Sequence, residues 1–416
     1  MVGTEGARAR ARWRCCASRL ALAVVTTLAT ASVAQGQDAV TEPAVLGVGP
    51  GSPTSIDPAL YPPLRPAPRP RPYLEVHGFV GLWVFAAGDE GAPQHATETF
   101  QLRWATVRLD AHPVPQLHVV MRLAFALPNP LQDASITWAE LPWMNVTVGQ
   151  FRLPFGAAAT TTASQLVMRD RPGYAYAMTK GSFRDVGAML GTGEEGLFGG
   201  LLHYRFAVAS GNGRILEGDP TRIADARDLL WIGRAIVDLG PRLGPGIRLA
   251  LGGTAAWTRD PALDTTHPEA ARARASNLLG RTWAPIDRER ETLLAGADLT
   301  LSLAGLWAQA EWMFLESSPT DGSPSRRAIA GSLELAYTLP WRIEGIGFRP
   351  AARGELVDPD LDQGGDAYGI ATGGLDVLPF EGMRLSVFAG ATSYTDADTG
   401  VGRIGGELSG RVTAAY

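Results

Sequence analysis

From Tyr73 onward, apolar and polar residues alternate with a period of two. In the closing run, Ile404, Leu408, Val412, Ala414 and Tyr416 fall on one side, and Glu407, Ser409, Arg411 and Thr413 on the other. That period puts successive side chains on opposite faces of a β-strand. No apolar stripe with the 3.6-residue repeat of a helix persists over a long window. The pattern predicts sixteen strands, over 73–87, 98–112, 115–127, 133–140, 143–151, 184–192, 197–209, 229–239, 246–258, 291–303, 306–316, 327–338, 345–357, 367–378, 383–394 and 402–416.

The gaps between them alternate in length. Those at 113–114, 193–196 and 304–305 are tight, whereas those at 88–97, 152–183, 210–228 and 259–290 are long; 128–132 breaks the rhythm. Short turns at one end and long loops at the other are expected of an up-and-down barrel in an outer membrane. Closure also removes sheet edges, whose unpaired backbone groups hydrocarbon does not tolerate. The fold class expected is all-β, a 16-stranded antiparallel transmembrane β-barrel. Trp83, Trp104, Trp143, Trp231, Trp257, Trp307, Trp312 and Trp341 sit mostly towards strand ends or turns. They fit either an interfacial girdle or buried packing.

The N-terminal residues break this texture. Arg8, Arg10, Arg12, Arg14 and Arg19 precede an apolar run over Leu20–Ala29 and a small-x-small site at Ser32–Val33–Ala34, the layout of a cleaved export signal over 1–34. A proline-rich linker follows over 35–72, ending PAPRPRP, a composition that favours extended chain and builds no core. The barrel is expected over 73–416. Both cysteines, Cys15 and Cys16, fall in the leader, so the mature chain has no disulfide and no cysteine metal site. Loss of the leader removes five arginines and Glu5, leaving 32 basic and 41 acidic residues and a formal charge of −9. That balance argues against a nucleic-acid partner.

The gap at 152–183 is very long. A structureless loop of that length is usually functional, and between two barrel staves it can fold inward and narrow the lumen. It offers Arg152, Arg169, Asp170, Arg171 and Lys180, with Arg184 and Asp185 at its exit. These charges either set ion selectivity electrostatically or pair with one another and pin the loop to the wall. Along the strands, the period of two puts His118 and Arg122 on one face, opposite Leu117, Val119, Met121 and Leu123. Arg349, Arg353 and Glu355 share a face, as do Gln309 and Glu311. An arginine turned to lipid near the midplane costs roughly 2–4 kcal/mol, so these faces should line the lumen.

VGQFRLPFG at 148–156, Val167–Met168–Arg169, Arg184–Asp185–Val186–Gly187, Gly233–Arg234–Ala235, Gln309–Ala310–Glu311–Trp312, Ala352–Arg353–Gly354–Glu355 and GGLDVLPF occur in the order in which the phosphate-selective porin O and P family carries such motifs. Residues 73–416 resemble that family. The resemblance implies a 16-stranded outer-membrane barrel, usually trimeric, with a constriction loop after the VGQ–PFG strand. It implies arginine ladders in the lumen; Arg353 matches the family's strand arginine, and Arg169 and Arg184 match its loop and strand-start positions. The family's lysine cluster has no counterpart, because Lys180 is the only lysine.

The function expected is a porin passing small hydrophilic solutes, anions such as phosphate among them, through an arginine-containing lumen, in contact with outer-membrane lipid and assembled as a homotrimer. The solute pathway would use Arg152, Arg169, Arg171, Lys180, Arg184, Asp185, Arg122, Arg349, Arg353 and Glu355. A general or cation-leaning porin and a plugged structural or adhesion barrel are the alternatives. No G-x-S-x-G, H-E-x-x-H or phosphate-loop motif occurs, so no enzyme and no cofactor are expected.

Overall fold

The structure is a computed structural model. It describes residues 72–89, 97–126, 130–141, 143–161, 165–168, 170–173, 184–193, 196–210, 229–243, 246–260, 290–362, 364, 367–380, 382–395 and 402–415. The leader, the linker up to residue 71, Arg169 and Lys180 lie outside the described residues.

Sixteen strands form one sheet: β1 (Tyr73–Asp89), β2 (Thr97–Val114), β3 (Leu117–Ala124), β4 (Leu131–Leu141), β5 (Met144–Arg152), β6 (Arg184–Gly191), β7 (Leu202–Ala209), β8 (Leu230–Asp238), β9 (Ile247–Asp260), β10 (Arg290–Leu303), β11 (Leu306–Pro319), β12 (Arg326–Tyr337), β13 (Gly347–Asp358), β14 (Tyr368–Leu378), β15 (Met383–Thr395) and β16 (Gly402–Ala415). Each pairs antiparallel with its neighbours in sequence, and β1 closes on β16. Among the described residues two one-turn helices interrupt the connections, α1 (Ala157–Thr160) and α2 (Gly240–Leu243). The barrel expected from alternation is the barrel observed.

Strand bounds follow the sequence reading closely, with one clear departure. The strand expected from 197 begins at Leu202. Gly196, Phe198, Gly199 and Gly200 all have positive φ, and Leu197 and Leu202 exchange both main-chain hydrogen bonds. The chain therefore turns back on itself there, and the tight gap expected at 193–196 is a longer turn.

Burial is inverted relative to a water-soluble protein. On β11, Gln309, Glu311 and Ser317 are buried while Trp312 is exposed; on β3, His118 is buried while Met121 is exposed. Polar side chains point inward and apolar ones outward. Of the eight tryptophans considered above, Trp143, Trp231, Trp257, Trp312 and Trp341 are exposed. Trp83 and Trp307 are buried on the inner face, and Trp83 meets Trp104 edge-on at 4.9 Å. Five of them thus face outward, as a girdle requires, and the other three pack inside.

Candidate functional site: a loop held across the lumen

The site begins at the end of β5. After Arg152, Pro154 ends the strand because it has no N–H to give the ladder. Phe155 and Gly156 then turn the chain inward. Gly156 has φ 56°, and a Cβ added there would stand 1.9 Å from Glu311 Oε1. Both the backbone conformation and the close approach require glycine. The α1 turn follows, made of small residues that fit against the wall: Ala158 and Ala159 are buried, and Thr160 Oγ1 donates to Gly156 O at 2.7 Å.

From here the wall holds the loop by its main chain. Gly156 N donates to Thr254 Oγ1 on β9 at 3.3 Å, and Ala158 N donates to Glu311 Oε2 on β11 at 2.7 Å. Met168 N donates to Glu334 Oε1 on β12 at 3.3 Å, and Gly173 N to Glu355 Oε2 on β13 at 2.7 Å. Three glutamates on three successive strands thus accept main-chain amides from the loop. Arginines hold its carbonyls. Arg353 Nη1 donates to Asp170 O at 2.6 Å, Arg384 Nη1 to Leu166 O at 2.6 Å, and Arg411 Nη1 to Met168 O at 2.7 Å, with Arg411 Nη2 reaching Val167 O at 3.2 Å. Hydrogen bonds with one charged partner are roughly twice as strong as neutral ones. They also satisfy buried backbone groups that no secondary structure would otherwise serve.

The loop is tied to itself as well. Arg152 Nη1 donates to Thr160 O at 2.7 Å, Arg171 Nε donates to Ala158 O at 3.1 Å, and Arg171 Nη2 donates to Thr161 O. Arg171 thereby joins the returning limb to the outgoing one.

Behind the landing point of residues 166–168 lies a row of charges that the barrel register aligns. Arg349 pairs with Asp376, Asp376 with Ser386, and Ser386 with Arg411, across β13 to β16. Arg349 grips Asp376 through Nε at 2.9 Å and Nη2 at 2.5 Å, and Ser386 Oγ donates to the other oxygen. Arg411 Nη2 and Arg384 Nη1 stand 3.6 and 3.7 Å from the same carboxylate. One aspartate, itself without solvent exposure, thus serves three guanidinium groups.

Apolar packing completes the seat. Phe151, Leu153, Phe155 and Ala159 pack with Ala207, Ile232, Leu294, Met313 and their neighbours from β7 to β13. Val167 and Met168 pack with Trp307, Ala336, Ala351 and Phe388. This is the inverse of the usual barrel interior, where polar residues and water fill the space.

The opposite wall, β1–β4, is organised differently. Arg108 forks onto Asp110 with two 2.6 Å bonds, and His118 Nε2 bonds the same carboxylate at 2.8 Å. Arg184 Nε donates to Asp133 at 2.7 Å, and Arg122 approaches it at 3.4 Å. Ser135 and Thr137 continue this polar face along β4.

Of the residues singled out from sequence, Arg152, Arg171, Arg353 and Glu355 hold the loop, Arg349 supports the row behind it, and Arg122 and Arg184 share Asp133. Asp185 caps the start of β6 through Val186 N and receives Ser210 Oγ. The sequence list omitted Glu311, Glu334, Asp376, Arg384 and Arg411. The period of two places Glu311 and Arg411 away from the apolar face, and the register aligns Asp376 with Arg411 through Ser386, with Arg384 two residues along β15.

No protein-family model and no curated protein matches the sequence. Solved structures share the fold. An anion-selective porin from Comamonas acidovorans is similar with a TM-score of 0.59 and 11% identity, over 83% of this chain and 100% of that one. The outer membrane channel DcaP of Acinetobacter baumannii matches with a TM-score of 0.54 and 11% identity, over 84% and 98%. OmpT, an outer membrane protein of Vibrio cholerae solved in a trimer form, matches with a TM-score of 0.54 and 9% identity, over 83% and 100%.

Proposed function

We propose that this chain is an exported outer-membrane porin that passes small hydrophilic solutes by diffusion, with a preference for anions. The observation that carries the reading is the inward loop seated on β7–β16, with the polar face of β1–β4 left opposite it. Solutes would pass between the two, meeting Arg108, Arg122, Arg184 and His118, and no chemical step is involved. At the loop root, Arg122 and Arg184 share the single carboxylate of Asp133. Guanidinium groups in that position favour anions, and an arginine fork can grip phosphate or a carboxylate with two parallel bonds. The fold likeness to an anion-selective porin and to an outer membrane channel supports the same reading. Arg169 and Lys180 remain proposed members of the pathway on sequence grounds.

The test is conductance in planar bilayers under a salt gradient. The reversal potential should report anion preference, and chloride against phosphate should rank the anions. Preference for cations would defeat the selectivity and leave the pore standing. One observation favours a second reading, a plugged barrel: the dry apolar packing of the loop inside the lumen. Absence of conductance from a correctly folded barrel would establish it over the first.

A further inference from the structure

The wall that the loop leaves open carries rings as well as charges. On β1, Phe79 and Trp83 face inward and are buried. Trp104 on β2 pairs with Gly81 between them and is half-buried. Its ring centroid stands 5.6 Å from that of Phe79 and 4.9 Å from that of Trp83, the second pair crossing at 86°. The lining of a barrel lumen is ordinarily polar, so three apolar rings gathered on it need a reason. Trp307 and Phe388 also face inward, but they pack with Val167 and Met168 of the loop. Phe79 and Trp83 belong to neither cluster beneath the loop.

Two local features aim Trp104 inward. Leu102 and Trp104 are two residues apart and would share a face on a regular strand. The β1–β2 register shifts between Gly81 and Leu82, so that Leu82 pairs with Leu102 and Gly81 with Trp104. Leu102 is exposed on the outside, while Trp104 turns in against Trp83. A β-bulge re-aims a side chain in this way and is over-represented next to functional sites. Gly81 then leaves room for the ring, since a Cβ there would stand 2.5 Å from Trp104 Cε3. The register also fixes the place. Trp83 lies opposite Arg411 on β16, and Arg411 holds Met168 O, so the rings stand beside the landing point of the loop. Along β2 from Trp104, Thr106 and Arg108 follow on the same face at steps of roughly 7 Å, and Arg108 pairs with Arg122 on β3.

We infer that Trp104 is a stacking platform in the solute path, and that the path favours organic anions with a flat apolar face, such as aryl carboxylates, over inorganic anions. The inference rests on the diffusion-pore reading above and names the solute class of that path. The flat body lies against the indole while the carboxylate is drawn towards Arg108 and Arg122. Small-molecule sites combine aromatic walls with a few placed polar groups in the same manner. An aromatic pair contributes beyond the area it buries, whereas chloride or phosphate gains nothing from an indole face. A neutral saccharide uses the face but gains little from the guanidinium charge.

The experiment uses the full chain in planar bilayers, with barrel integrity checked by heat-modifiable gel migration. Chloride current is measured first, and benzoate or acetate is then added. Benzoate should block the chloride current at a concentration roughly fivefold lower than acetate, the factor expected of one aromatic contact. Trp104→Ala and Trp104→Leu should bring benzoate to the acetate value, whereas Trp104→Phe should keep most of the difference. If the alanine variant does not fold, the comparison of leucine with phenylalanine decides. Trp231→Ala, on the outer face of β8, should change nothing. Equal block by the two acids, a difference that survives Trp104→Leu, or block by maltose equal to that by benzoate would overturn the inference and leave the pore standing. No chloride current from a folded barrel would overturn both.

Discussion

The wall beneath the loop and the wall facing it draw on the same residue types for different ends. On β11–β16, Glu311, Glu334, Glu355, Arg353, Arg384 and Arg411 finish on main-chain atoms of the loop. On β1–β4, Arg108, Arg122, Asp110, His118 and Asp133 finish on one another and on Arg184. Charge composition alone does not separate a wall that holds a loop from one that meets a solute. What separates them is whether peptide groups of the loop join the ions as partners.

The sharpest way to break this contrast is Asp376→Ala. Three guanidinium groups would lose their shared carboxylate in a site without solvent exposure. Removing one partner from a buried ion network costs about 3–5 kcal/mol, to be read from urea unfolding of the barrel in lipid. A stability equal to wild type would mean that the row does not support the seat.

Asp133→Ala makes the matching change on the facing wall, where the Asp133 carboxylate keeps some access to water that Asp376 lacks. A loss of about 1.5–3 kcal/mol is expected, the range for hydrogen bonds to charged groups. If it matched or exceeded the Asp376 effect, the two walls would not differ as described.

Next in size is Gly156→Ala. It forces a side chain into positive φ and against Glu311, for about 1–3 kcal/mol, and should loosen the loop root enough to raise single-channel conductance. Unchanged conductance together with unchanged stability would show that the approach to Glu311 is not tight.

The smallest stability change is expected from Arg122→Ala, about 1 kcal/mol or less for a partly screened pair. Its reversal potential should nevertheless move towards cations. A reversal potential that stays in place would take Arg122 out of the solute path.

The strands were legible from sequence because inner and outer faces differ so sharply in polarity that a period of two survives along nearly every stave. The loop was legible as a gap, and its root as Pro154–Phe155–Gly156. What the loop touches was not legible. Glu311 and Ala158, or Arg411 and Met168, are separated by 153 and 243 residues and meet only once the sheet closes. Arg384 and Arg411 carry no local motif, the Asp376 of GGLDVLPF shows nothing of its partners, and only register brings Asp376 level with Arg411, with Arg384 two residues from Ser386. The turn at 196–201 was misread because Leu197 and Phe198 continue the apolar pattern while the backbone already runs the other way.

Because the barrel grasps the inward segment through peptide N–H and C=O groups, the shape of the arch is largely independent of which side chains it displays. Residues pointing into the passage can then be exchanged without dismantling the support. One scaffold of this kind can be re-tuned from one solute to another by substitutions that leave the gripped main chain in place.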